Sequence, residues 1–277
     1  MRRFFSILAF AASFATGFAS VGVADQGGLR KMLTGDDSRG WEAVGRLNIA
    51  GRNMCTGALI APDLVLTAAH CVFDKKTGIR VDGTNIEFLA GWRGGRASAY
   101  ANVKRAVVHP DYVFASDSSE IRVRNDLAVL QLTRPIHKSS ITPFQTDVRP
   151  RKGAEIGIVS YARDRAESPS IQESCNVLAR QSGTLIMSCD VDFGSSGAPV
   201  FMKDEDGGAP RIVSVVSAMA DVNGRKVALG MALEEPLARI LAELKATEGP
   251  FQRAKPVTRR MGTQSGLNRT GAKFLRP

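Results

Sequence analysis

The sequence predicts an all-β fold of two successive antiparallel six-stranded β-barrels, followed by one C-terminal helix. Three observations carry this. Short strand-like runs separated by turn residues lie at 44–49, 57–60, 64–67, 86–91, 98–108 and 127–132, and a second set lies at 155–161, 171–179, 184–189, 199–202, 211–220 and 226–232. Between the two sets, residues 134–150 lack periodicity and contain Pro135, Pro143 and Pro150, which marks a connector. After Pro236, a residue suited to a first helical turn, Leu237, Ile240, Leu241 and Leu244 recur at helical spacing.

In chain order, Met1-Arg2-Arg3 is a basic start, and an apolar run follows from Phe4 to Phe18. The small residues Gly22-Val23-Ala24 then suggest cleavage before Asp25, with Ala19 and Ser20 as close competitors. The run is short for a membrane span, so residues 1–24 read as a secretory signal peptide and the protein as secreted or periplasmic. Residues 25–40 are polar and mixed, and read as a leader or loose N-terminal arm. The first barrel is assigned to 41–138, and the connector, second barrel and helix to 139–250. The 277 residues are enough for two small β domains with a sizeable core.

The last stretch, 251–277, carries Arg253, Lys255, Arg259, Arg260, Arg269, Lys273 and Arg276 and no acid, against a net charge of +10 for the chain. With few large apolar residues it reads as a solvated, disordered basic tail, or as a contact for an anionic envelope polymer or a membrane surface. Nucleic acid is not an expected partner of an exported chain without aromatic interleaving. The 4 cysteines favour disulfides over metal or redox chemistry in such a chain. They allow three pairings. Cys175 and Cys189 are equidistant from Ser182, so a simple hairpin turning at Gln181-Ser182-Gly183 sets them opposite one another.

The candidate chemistry begins at Gly194-Ser195-Ser196-Gly197-Ala198-Pro199. A serine between glycines in a tight turn offers an exposed hydroxyl and backbone N–H groups free to point at one spot. Upstream, His70 ends the stretch Cys55 to Cys71, where apolar runs around Pro62-Asp63 read as a hairpin and Ala68 and Ala69 leave space beside the imidazole. Asp126, in Asn125-Asp126-Leu127-Ala128-Val129-Leu130, enters an apolar strand, and a buried carboxylate needs a partner, for which His70 is the candidate.

With Thr67-Ala68-Ala69-His70-Cys71, Asn125 to Leu130 and Gly194 to Pro199 in that order, the chain resembles the chymotrypsin-like (trypsin-type) serine endopeptidases, as a bacterial-type exported member. His109-Pro110-Asp111-Tyr112 and Ile212 to Ser217 add to the likeness, which runs from about Trp41 to about Leu244. The resemblance implies a chymotrypsin-like pair of barrels with the helix packed on the second, and disulfides Cys55–Cys71 and Cys175–Cys189. It further implies Ser196 as nucleophile, His70 as base, Asp126 as its orienting carboxylate, and the amides of Gly194 and Ser196 as the oxyanion hole. Ser217 falls where the family has a serine near the aspartate, and the edge Ala218 to Ala220, Met219 included, is expected to pair with substrate backbone. A monomer acting on polypeptides, without cofactor or metal, is expected.

The pattern breaks in two places. Ser195 stands where trypsin-type zymogens carry an aspartate that pairs with a freshly cut N-terminal amine, and 32–40 offers no matching start, so activation by that ion pair is not expected. Asp190 lies six residues before Ser196, where trypsin-like members carry the acid that selects Arg or Lys, but Asp192 could equally be the exposed acid. Met219 falls where trypsins use glycine, and its bulk would favour small residues. His109 and His137 read as structural. The competing class is a non-catalytic binding protein on the same scaffold, and a third reading is an esterase using the same machinery.

Overall fold

A computed structural model describes residues 28–116, 119–147, 150–203, 208–246 and 273–274. The elements in order are β1 (Arg30–Lys31), β2 (Val44–Ile49), β3 (Asn53–Ala61), β4 (Leu64–Thr67), β5 (Ile86–Ala90), β6 (Ala99–Val108), α1 (Ser119–Arg124) and β7 (Ala128–Leu132). There follow β8 (Glu155–Ser160), β9 (Ser170–Gln181), β10 (Thr184–Met187), β11 (Pro199–Met202), β12 (Arg211–Val222), β13 (Arg225–Ala232), α2 (Glu234–Ala246) and β14 (Lys273–Phe274).

The first barrel closes in the order β2-β3-β4-β7-β6-β5, with β5 returning to β2. Its strands are antiparallel and short, and their inward residues fill the interior, among them Leu47, Ile49, Leu59, Val65, Phe88 and Leu130. The second ring runs β8-β9-β10-β13-β12-β11 and closes because β11 pairs with β8. Two short strands add to its outside, β1 on β9 and β14 on β12. The fold is the expected chymotrypsin-like pair of six-stranded antiparallel barrels. Two disulfides are formed, Cys55–Cys71 and Cys175–Cys189. The β9–β10 hairpin turns at Ser182-Gly183, so direct pairing from Gln181↔Thr184 would put Cys175 out of step with Cys189. A one-residue bulge between Ile186 and Met187 corrects the register and brings them together.

The connector joins the barrels rather than merely spacing them. Phe144 N–H donates to Leu59 O in the first barrel, while Asp147 N–H and Ile212 O pair beside the second. Phe144 also meets Phe201 edge-on at 4.7 Å, and Trp41 meets the same ring at 4.9 Å. One hydrophobic core therefore runs from Leu47 and Phe88 through these aromatics to Ile212 and Ile240.

Several expectations need correction. Residues 28–40 are docked, not loose: Met32 is fully buried, its N–H donates to Pro169 O, and β1 pairs with β9. A lone buried methionine in a polar stretch gave little sequence signal. The C-terminal helix packs on β6 and β7 of the first barrel, with Leu244 O accepting from Arg105 Nη2 at 3.1 Å. It buries Leu237, Ile240 and Leu244 as the spacing predicts. The short helix α1 was not foreseen. The signal peptide assigned to 1–24 lies outside the described residues, as does most of the basic tail at 251–277; of the tail, only β14 is described.

His109 is buried at 2% exposure, and its Nδ1 accepts from Asp111 N–H at 3.3 Å. Burial, then the Arg239 charge, hold its pKa below the ordinary histidine value, opposed by Asp111 and Glu235. The folded protein thus binds this proton less readily than the unfolded chain. Its contribution to stability is complete above the unfolded value of about 6.5 and is lost as pH falls toward the lower folded value. Thermal melts taken downward from about pH 7.5 are expected to show a falling Tm that His109→Gln flattens; an equal decline in the variant contradicts this assignment.

Candidate active site

The site lies where the two barrels meet. β4 leads into a short 3-10 turn, Ala69–Val72, that carries His70, and Cys71 in the same turn is bridged to Cys55 on β3. Asp126 sits between α1 and β7, where the chain enters the first barrel, and its side chain is 3% exposed. A buried carboxylate is tolerated only when hydrogen-bonded. This one accepts from His70 N–H at 2.8 Å on Oδ1, and its Oδ2 lies 2.7 Å from His70 Nδ1 and accepts the Ser217 hydroxyl. Nδ1 facing a carboxylate carries the ring proton, which leaves Nε2 as the basic nitrogen. Ser217 belongs to β12, so Asp126 collects donors from both barrels.

The loop before β11 is held by a second junction. Thr56, fully buried on β3, donates its hydroxyl to Gly194 O at 3.0 Å and accepts Tyr161 N–H at 3.0 Å. Its own N–H donates to Ser196 O at 2.9 Å, and its carbonyl accepts from Thr67 Oγ1 at 2.8 Å. On the other side, Gly197 N–H donates to Val216 O, adjacent to Ser217. Gly197 has φ 79°, and a Cβ there would lie 2.1 Å from Thr67 Oγ1 and 3.1 Å from Ala68 N. That contact permits only glycine and brings the Ser196 loop against the strand end that delivers His70.

The amide directions follow from the same bonds. Phe193 O accepts from Arg163 N–H at 2.7 Å, and across the trans peptide the Gly194 N–H points the opposite way. The N–H groups of Ser195, Gly197 and Ala198 are each donated within the protein. Among the described residues, those of Gly194 and Ser196 have no protein acceptor. The loop therefore presents two free donors beside one hydroxyl.

Ser196 faces a cavity of only about 40 Å³, lined by Val191, Asp192, Phe193, Val216, Ser217, Ala218 and Met219. The sequence-predicted Ala218 and Met219 are thus brought beside Ser196. Asp190 is not: it is exposed, its N–H donates to Gln172 Oε1 at 2.7 Å, and it is absent from this lining. With Cys189 bridged to Cys175, the chain reaches Ser196 by a short loop, and Val191 takes the inner position. Ser195 is fully buried, with its Oγ 3.3 Å from Arg165 Nη2 and 3.4 Å from Ser160 Oγ. The Arg165 side chain is 8% exposed, so a guanidinium built into the chain lies behind the loop that carries Ser196. Cys55, His70 and Cys71 bring potential metal-ligand atoms within 4.8 Å, but both sulfurs belong to one disulfide and offer no thiolate.

The fold and this site define the two-barrel architecture of serine peptidases. It is shared with a solved Glu endopeptidase structure, in complex with MPD, at a TM-score of 0.64 and 21% identity, covering 80% of this chain and 98% of that one. The trypsin family model matches residues 35–232, and the chain belongs to the trypsin family. It is similar to serine protease 23 of Homo sapiens, 29% identical over 167 residues, which is 54% of this chain and 43% of that protein. Human cathepsin G is 30% identical over 90 residues, 32% of this chain and 31% of that protein. The chain thus spans less than half the length of these two curated relatives, both of them animal proteins.

Sequence reasoning singled out His70, Asp126, Ser196 and Ser217 but missed Thr56 and Arg165. Threonine in an apolar strand is an ordinary β residue, and its hydroxyl partners lie over 100 positions away. Thr56→Val keeps the side-chain shape but leaves Gly194 O and Tyr161 N–H unpaired in the interior. The expected loss is about 2 kcal/mol in urea unfolding, with Thr56→Ser close to wild type; an undiminished Thr56→Val would contradict the junction.

Proposed function

We propose that the chain is an exported serine endopeptidase of bacterial type, secreted or periplasmic, that cleaves polypeptides through an acyl-enzyme. The observation that carries this reading is the Asp126 carboxylate against His70 Nδ1, 2.7 Å away and buried, because it commits Nε2 to the role of base. The basic, apolar start at Met1 to Phe18 and two disulfides support export to an oxidising compartment. Among the described residues, no helix is long and apolar enough to cross a membrane.

In this mechanism His70 Nε2 takes the Ser196 proton as Oγ attacks the scissile carbonyl carbon. Asp126 keeps the other ring proton on Nδ1 and stabilises the imidazolium that forms. The carbonyl oxygen becomes an oxyanion that receives the N–H groups of Gly194 and Ser196, and removal of one such donor costs about 100- to 1,000-fold in turnover. Collapse breaks the C–N bond, and His70 returns the proton to the leaving amine. Water then repeats the sequence on the ester and frees Ser196. The residue that supplies the carbonyl enters the small cavity at Ser196. Val191, Val216, Ala218 and Met219 narrow it, which favours a small side chain over Arg or Lys; Asp192, exposed, also lines it, with its Oδ1 accepting Phe193 N–H. Because Ser195 is neutral and already backed by Arg165, activation through a new N-terminal amine has no carboxylate to engage.

A fluorophosphonate probe should label wild-type protein at Ser196 and fail to label Ser196→Ala or His70→Ala. In a peptide-library digest, cleavage should follow Ala, Ser or Val, and Met219→Gly should admit larger residues. Absence of labelling favours the binding-protein reading, and cleavage confined to Arg and Lys contradicts the assigned cavity.

A further inference from the structure

A second cavity of about 410 Å³ adjoins the site and shares Phe193 with the small one. Its walls come from the β2–β3 hairpin, the loop after His70 and the segment after Tyr161. They present Arg46, Arg52, Lys75 and Arg163 and no acidic side chain. Two of the cations are compensated from outside the cavity, Arg46 by Glu167 at 3.1 Å and Arg52 by Asp74 at 3.9 Å. Lys75 and Arg163 have no carboxylate within ion-pair distance among the described residues. The Arg163 guanidinium instead lies over the Phe193 ring, 5.1 Å from its centroid. Arg46 Nε is buried without a partner. Desolvation, then the neighbouring Arg163 charge, push the Lys75 pKa below its ordinary value, although the side chain is exposed.

The two cavities meet at Phe193, and the second also reaches Gly194. One is bounded by β12, the other by the first barrel at Asn53 and Met54. On the endopeptidase reading, a polypeptide whose carbonyl side pairs along β12 continues past Ser196 toward the first barrel, on the side of the second cavity. Building on the endopeptidase reading, we propose that this cavity binds acidic side chains of the substrate just beyond the scissile bond, with Lys75 and Arg163 as the residues that select them. An ion pair at such a half-open site is modest and screened by salt, and two acting together change kcat/KM roughly five- to tenfold.

The test uses peptides identical up to the scissile bond and followed by Asp-Glu, Ser-Ser or Lys-Lys. Wild type should cleave the Asp-Glu peptide with the highest kcat/KM, and salt should narrow the gap. Lys75→Gln with Arg163→Gln should bring it down to the Ser-Ser value, and Lys75→Arg should restore part of the preference. The Arg163 backbone N–H that holds Phe193 O survives these changes. Equal cleavage of all three peptides by protein whose Ser196 takes the fluorophosphonate overturns the proposal while leaving the endopeptidase reading intact. A preference untouched by the double substitution, with heparin binding abolished by it, also overturns the proposal and assigns the cavity to a polyanion. If Ser196 is not labelled, the endopeptidase reading fails, and fluorescence anisotropy with the same peptides decides the cavity. Tighter binding of Asp-Glu that requires Lys75 and Arg163 supports it, and equal binding rejects it.

Discussion

The Asp126 carboxylate is the constraint on which the rest of the site depends. It is almost fully enclosed, and a charge in that position persists only if its oxygens are matched by donors. The matching groups come from both barrels, His70 from one and Ser217 from the other. Neither barrel alone completes the set. The arrangement that satisfies a buried acid is therefore the same one that fixes an imidazole tautomer at the seam.

A second clasp does for the serine loop what Asp126 does for the histidine. Thr56 reaches from the first barrel to Gly194 and Ser196, while Val216 holds Gly197 from the second. These bonds use the carbonyls of Gly194 and Ser196 and leave their amides free. The hydrophobic seam of Trp41, Phe144 and Phe201 keeps the two barrels in the relation that both clasps require. Arg165 adds a permanent cation behind Ser195, within the folded chain.

Much of this was legible in the sequence because the signals are local. Each strand announces itself in a few apolar residues, and Thr67 to Cys71, Asn125 to Leu130 and Gly194 to Pro199 are short contiguous runs. What escaped is assembled from distant positions. The cationic cavity joins residues 46, 52, 75 and 163, and the Thr56 junction joins 56, 161 and 194. Asp190 was misplaced because spacing back from Ser196 measures chain and not direction: the Cys175–Cys189 bridge and the short loop after it turn Val191 inward instead. The docked arm offers Met32 as its buried apolar anchor, and the surfaces it meets, β9 and the segment at Pro169, are written elsewhere.

The most direct measurement is the tautomer of His70, read by nitrogen NMR on protein carrying ¹⁵N-labelled histidine under conditions where the ring is neutral. The account predicts a proton on Nδ1, bonded to Asp126, and a bare Nε2. A ring protonated on Nε2 with Nδ1 bare would mean that the buried carboxylate does not orient the base, and the proposed chemistry at Ser196 would have no foundation.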